Sequence, residues 1–413
     1  MRKIVIIGGG VLSLLTAYYL AKAGLEITIV AENAIARDDA SGDDGVGMPD
    51  HLIQLFMAET AATNSTRRVE ACRQPFYIKS KECAGVGQWS FLSNNYTSGN
   101  LPDYSMQGLA HLSMRSKDLY LQLSETHLSA DFGMEKKGLL MLFKTDAAAQ
   151  HENEVAHRAN MQGIKAQVLT RREVQLLEPH VRLNVVGGVL YPGDACPDPK
   201  MLKTFLGRYL RQKGVTILEN TSVLNYVSSG KSIRSVQTSA GNVSCDHVII
   251  CAEACTGDVA GKLQLTLPAY KGVQFTADNL PSLSKSVMLV EEQVMVTPVG
   301  NKLHIGGAIK TNYLNKILGV CPGSRINTIV GRYFEHKKDA AAGIPLQLHG
   351  LRQSYSNGMA CVGASAYFEN VCFGKGYINL APAIGEWLTD MVLKKIAVHP
   401  LSSATGGEGA GLF

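Results

Sequence analysis

No apolar run in the 413-residue sequence reaches the roughly 18 residues that a membrane-spanning helix needs. The stretch from Ile4 to Leu20 is apolar enough to imitate a secretory signal. However, three glycines interrupt it and no small-residue cleavage site follows, so a signal peptide is not expected. Runs of about five or six basic residues are also missing. A net charge of +5 spread over so long a chain is too dilute to argue for nucleic acid as a partner. The nine cysteines, from Cys72 to Cys372, contain no C-x-x-C pair. Cys251 and Cys255 would face the same way only on a helix. This pattern argues against a metal site and reads as buried thiols in a reducing compartment. There are no internal repeats and no low-complexity linker, although the Gly- and Ser-containing end "LSSATGGEGAGLF" reads as a poorly ordered tail. What remains is a chain of ordinary globular balance, 46% hydrophobic and 18% charged, long enough for two domains.

The first forty residues carry the clearest device. "KIVII" (Lys3 to Ile7) is a short, β-rich apolar run, as expected of a strand buried in a parallel sheet. Gly8, Gly9 and Gly10 follow as a turn, then a helix is expected from about Val11 to Lys22, ended by Gly24. "EITIV" (Glu26 to Val30) is a second strand. This βαβ unit is the context in which G-x-G-x-x-G binds a dinucleotide. Gly8 permits the tight exit from the strand, and Gly10 lets a pyrophosphate approach the backbone. The helix start at Val11, Leu12 and Ser13 offers N–H groups and partial positive charge. The third glycine position holds Ser13, which predicts a slightly wider helix–strand gap and not a lost site. The acidic residue that holds a ribose hydroxyl is expected just after the second strand. Ala31 stands first there, so Glu32 is the candidate.

Later stretches resemble the FAD-dependent amino-acid oxidase and dehydrogenase superfamily, in particular its D-amino acid dehydrogenase and glycine oxidase branches. They are "QPFYIK" (Gln74 to Lys79), "EKKGLLMLFKT" (Glu135 to Thr145), "LTRREVQLLEPHV" (Leu169 to Val181) and "GGVLYPGDACPDPKML" (Gly187 to Leu202). "HGLRQSYSNGMACVGAS" (His349 to Ser365) and "GKGYINLAPAIGEWLTDMV" (Gly374 to Val392) resemble the closing segments, the L-A-P-A form being that of glycine oxidases. The resemblance implies FAD as cofactor. It implies that Arg352 binds the substrate carboxylate through its planar fork, with Tyr270 and His51 lining the site. Gly374, Lys375, Gly376, Tyr377 and Ile378 would border the flavin, and the helix starting near Pro382 would favour its reduced, anionic form. Ser41 would touch the flavin, Val223 would pair its backbone with the adenine, and the strand ending at Cys251 would touch the dinucleotide. Ser13, Ala31, Asp44 and Glu253 depart from the family pattern around the cofactor.

The fold class this implies is α/β. A discontinuous, Rossmann-like FAD domain is expected over 1–80, 147–260 and 345–400. A substrate domain on a mixed, largely antiparallel sheet is expected over 81–146 and 261–344, leaving 401–413 as a tail. "VMVTPVGNKLHIGGAI" (Val294 to Ile309) reads as a hairpin, and "HENEVAHRANMQG" (His151 to Gly163) as an exposed polar helix. The implied activity is oxidation of an amino acid's C–N bond by hydride transfer to FAD, giving an imino acid and then a keto acid. The electron acceptor would be a quinone or oxygen. Glycine-oxidase-like use of oxygen, and a degenerate flavoprotein serving as a subunit or binding module, stand as alternatives. The resemblance implies a cytoplasmic enzyme. Peripheral membrane association and homo- or hetero-oligomerisation stay open.

Overall fold

The computed structural model describes residues 2–35, 103–127, 132–134, 136–161, 163–195, 197–251, 269–277, 283–292, 294–299, 302–307, 322–334, 346–355, 361–365, 367–376 and 378–393. β1 (Lys3–Ile7), α1 (Val11–Lys22) and β2 (Glu26–Val30) come first. The long α2 (Asp103–Thr126) precedes β3 (Leu139–Phe143), α3 (Asp146–Met161), β4 (Gln167–Thr170), α4 (Arg171–Leu177) and β5 (Gly187–Tyr191). Next are α5 (Pro199–Gln212), β6 (Thr216–Leu218), β7 (Val223–Ser229), β8 (Ser232–Thr238), β9 (Gly241–Ser244) and β10 (His247–Cys251). β11 (Ala269–Ala277), β12 (Ser286–Leu289), β13 (Val294–Val299), β14 (Lys302–Gly307), α6 (Pro322–Tyr333) and β15 (Leu346–Tyr355) follow. The last elements are β16 (Cys361–Ala364), β17 (Val371–Lys375) and α7 (Ala381–Val392).

Among the described residues the strands form three sheets. A six-stranded sheet runs β16-β17-β10-β1-β2-β6, all parallel except β16 against β17. An eight-stranded mixed sheet runs β15-β11-β14-β13-β12-β3-β5-β4, and β7-β8-β9 form a small antiparallel sheet. The α/β class with a parallel Rossmann-like sheet and a second, mixed sheet is therefore as expected. β13 and β14 pair as the anticipated hairpin, Val299 opposite Lys302.

β1 is buried on both faces, and α1 is apolar on nearly every side, with Val11 to Tyr18 all buried. A helix without a polar face has to lie inside the protein. α1 shares one core with the faces of α5, α7 and α2, through residues such as Leu14, Leu206, Ile384 and Tyr120. The opposite face of the parallel sheet, with Val5, Ile7 and Ile250, is covered by the small sheet through Ile233 and Val236. Asn370 stitches these layers together. Its amide donates to the Ile233 and Asp246 carbonyls at 2.7 and 2.9 Å, and its oxygen accepts the Ile233 N–H at 2.9 Å. In the second core, the buried Glu178 carboxylate caps the approach to β12 by accepting from the Ser284 N–H, the Ser284 hydroxyl and the Lys285 N–H.

Two expectations need correction. Residues 147–260 were assigned to the first domain, yet β4 and β5 pair with β3 in the mixed sheet, and β15, beyond 345, pairs with β11 there. The chain crosses between sheets inside those ranges, and pairing partners rather than sequence position set membership. The stretch from His151 was read as an exposed polar helix. α3 instead turns Glu152, Val155, Ala156 and Ala159 inward, a 3.6-residue stripe of which Ala156 and Ala159 share a core with Met141 and Val189.

Candidate active site

In the parallel sheet, Ile7 of β1 stands opposite Ile250 of β10, and Cys251 of β10 stands opposite Gly374 of β17. The carboxyl ends of these three neighbouring strands are thus in line. Ligands of open α/β sheets bind outside this edge. Both β1 and β17 are followed by a helix, so α1 and α7 begin at the same edge. Neither helix has a side-chain cap at its N-cap residue, Gly10 or Leu380, and neither has an acidic residue in its first turn. Two helix starts therefore offer their partial positive charge at one edge, where an anionic group is favoured.

The turn between β1 and α1 is built for close approach. Gly8 has φ +124, a conformation L side chains rarely adopt. A Cβ there would lie 2.8 Å from the Cys251 carbonyl oxygen and 2.9 Å from the Ser13 hydroxyl. Ser13 thus occupies space that Gly8 leaves open. It is 1% exposed, and its hydroxyl has no hydrogen-bond partner among the described residues. A phosphate-bearing group at this turn is the chemistry that would complete it. A bare glycine in the left-handed region, an uncapped helix start and an orphaned buried hydroxyl all fit a dinucleotide cofactor.

At β17 the reason for glycine is different. A Cβ on Gly374 would meet Leu388 of α7 at 2.5 Å, so this glycine serves the seating of α7 on the strand. The thiol of Cys372 is pushed up to about 12 by burial and by the neighbouring Cys251. Thiols of this kind stay protonated and unreactive.

Beyond β2, Ala31 is buried. Its N–H donates to the Leu218 carbonyl at 2.9 Å and its carbonyl accepts the Thr221 N–H at 2.9 Å. Glu32 follows and is exposed. The sequence reading missed Glu219, which sits at this corner on the chain leaving β6. Its carboxylate accepts the Ile35 N–H at 3.0 Å and pairs with Arg211 at 2.9 Å. It missed Tyr120 as well, whose buried hydroxyl donates to the Ile378 carbonyl at 2.6 Å. No local motif marks either residue, because the backbone groups they hold, at Ile35 and Ile378, lie on distant segments.

Gly8, Gly10, Val11, Leu12, Ser13, Cys251, Gly374, Lys375, Gly376 and Ile378 are thus gathered at one edge, and Glu32 lies at its β2 corner. Val223 opens β7 and packs on the face of the sheet that carries Ile7 and Val30. Arg352 and Tyr270 lie elsewhere, on the paired strands β15 and β11 of the mixed sheet. Arg352 stands opposite Gly272 and Tyr270 opposite Ser354, one diagonal step apart. Ser41, His51, Tyr377, Asp44 and Glu253 lie outside the described residues. Among the described residues there is no cluster suited to a metal ion, and no helix is long and apolar enough to cross a membrane.

Comparison with known proteins gives the family and the fold. The profile of a family described as FAD dependent oxidoreductase (DAO) matches residues 3–391. A D-amino acid dehydrogenase of Agrobacterium fabrum is 24% identical over 390 residues, covering 92% of this chain and 91% of that protein. Among solved structures, glycine oxidase from Bacillus cereus aligns with a TM-score of 0.66 at 18% identity over 100% of both chains. L-proline dehydrogenase from P. horikoshii aligns with a TM-score of 0.64 at 17% identity, over 97% of this chain and 95% of that one. These two structures share the fold.

Proposed function

Because the chain belongs to the FAD dependent oxidoreductase family, we propose that it oxidises the C–N bond of an amino acid in the manner of a D-amino acid dehydrogenase. The observation that carries this reading is the aligned strand edge of β1, β10 and β17 beneath two uncapped helix starts. The 24% identity to a D-amino acid dehydrogenase along nearly the whole chain supports the substrate class.

FAD, when bound, supplies the two-electron acceptor for the hydride of the substrate α-carbon. The protein's own part is to bind, orient and exclude water. Gly8 and Gly10 admit the pyrophosphate to the backbone, and the N–H groups at Val11, Leu12 and Ser13 receive its charge. Glu32 serves the ribose, Val223 the adenine, and Ser41 a flavin contact. Gly374, Lys375, Gly376, Tyr377 and Ile378 border the ring, and the start of α7 favours negative charge there.

Arg352 pairs bidentately with the substrate carboxylate and so fixes which α-hydrogen is presented. Tyr270 and His51 line the same site. No protein base is required when the amine arrives neutral. The imino acid that leaves is hydrolysed by water to a keto acid and ammonia, or cyclises if the amine is secondary. A quinone or oxygen would serve as the final electron acceptor.

The test is the visible spectrum of the purified protein, followed by anaerobic titration with D- and L-amino acids, glycine and hydroxyproline. Bleaching by one of them identifies substrate and chemistry together. A colourless protein, or bound FAD that none of the panel reduces, would sink the proposal. The latter result would favour the subunit or binding-module role. Peroxide release in air would mark an oxidase of the glycine oxidase kind, and dye or quinone reduction a dehydrogenase.

A further inference from the structure

We propose that Tyr120 is a positioning residue for the cofactor, its hydroxyl fixing the turn from which α7 starts. The inference rests on the reading that FAD lies at the aligned strand edge. Tyr120 sits on α2, far from the turn in sequence, and is 0% exposed. Its hydroxyl donates to the Ile378 carbonyl at 2.6 Å. The same carbonyl accepts the Ala381 N–H at 3.3 Å, so one oxygen holds both α2 and the first residue of α7. Ile378, Leu380 and Ala381 are themselves buried.

The peptide unit is planar. Fixing the Ile378 carbonyl toward α2 therefore turns the Asn379 N–H the opposite way. It also sets the direction in which the uncapped start of α7 presents its donors. A second tether joins the same two helices further along α7. Arg115 donates to both oxygens of Glu386, at 2.9 and 2.6 Å. This pair holds the helix body, whereas Tyr120 holds the turn. The two tethers separate a positioning role from plain helix packing.

Tyr120→Phe keeps the ring and removes only the donor. It is expected to raise the FAD dissociation constant several-fold and to shift the visible band of the bound flavin. It should also lower the two-electron midpoint potential by about 30 mV, the equivalent of roughly a tenfold loss in preference for the reduced form. Arg115→Met cuts the other tether and is expected to lower the thermal midpoint while leaving spectrum and potential at wild-type values.

Should the phenylalanine variant not be recovered folded, a ring-fluorinated tyrosine at position 120 keeps the shape and strengthens the donor. Its potential is expected to move upward. A Tyr120→Phe protein with wild-type affinity, spectrum and potential would overturn the inference, as would an Arg115→Met protein that reproduces every shift. A wild type that is yellow while the variant is unmoved refutes only the role of Tyr120. A wild type with no FAD refutes the reading of the edge, and the inference with it.

Discussion

Glu152→Gln should remove a pH dependence of stability that the wild type carries. Glu152 lies on the inward face of α3 and is 5% exposed. Glu291, just past β12, acts on it, and it acts in turn on Tyr191 of β5. Among the described residues, one oxygen of Glu152 and the Tyr191 hydroxyl both lack a hydrogen-bond partner. Burial first, and the Glu291 charge second, push the Glu152 carboxyl up to about 7 from 4.5. Glu291 goes the other way. Its partial burial opposes the charge, but hydrogen bonds from the Tyr333 hydroxyl, the Lys144 N–H and the Thr145 hydroxyl outweigh that and hold its pKa low. The native state therefore keeps the Glu152 proton that the unfolded chain gives up near 4.5. Stability from this group is full below that value and falls as the pH rises to about 7. Above about 7 the loss is complete. A rise from 4.5 to about 7, at 1.36 kcal/mol per unit, corresponds to about 3 kcal/mol. Urea unfolding of both proteins between about pH 5 and pH 8 reads it directly. The glutamine variant should gain on the wild type as the pH rises, by up to about 3 kcal/mol in total. Parallel curves for the two proteins would show that Glu152 is not held protonated, and would refute the reasoning.

Three further outcomes are expected. Gly8→Ala places a Cβ 2.8 Å from the Cys251 carbonyl at φ +124, so the purified variant should lose most of its bound FAD, measured as the ratio of 450 nm to 280 nm absorbance. Arg352→Lys keeps the charge but loses the planar fork. FAD content should stay at the wild-type level while kcat/KM falls by roughly 10- to 100-fold through KM; an unchanged KM would remove Arg352 from the substrate site. Asn370→Ala strips its three hydrogen bonds to Ile233 and Asp246 and should cost about 2–4 kcal/mol, read by thermal or urea unfolding.

The local parts of the site were legible in the chain. The run Lys3 to Val30 shows its strand, turn, helix and strand because the glycines and the apolar pattern lie within one βαβ unit. The hairpin at β13 and β14 was equally plain. Ser13 departs from the glycine pattern, and its hydroxyl lies where Gly8 has no side chain, a complementarity between two positions that each look ordinary alone. α3 was misread because a buried glutamate is indistinguishable in sequence from an exposed one, and only the sheet beneath it makes Glu152 an interior residue.

By itself the sequence determined the glycine turn of the first βαβ unit, the class of the fold and, through motifs spread over the chain, the family. Those signals depend on residues that neighbour one another along the chain. The tertiary structure decided which strands join which sheet, and that β10 and β17 bring Cys251 and Gly374 into line with the end of β1. It also decided that Tyr120 reaches Ile378 and that Glu219 secures the corner beyond β2. The alignment of β1, β10 and β17, the Tyr120 contact and the Glu219 contact to Ile35 are pairings across a hundred residues or more, chosen by burial and hydrogen-bond satisfaction in the whole molecule, for which no local pattern exists.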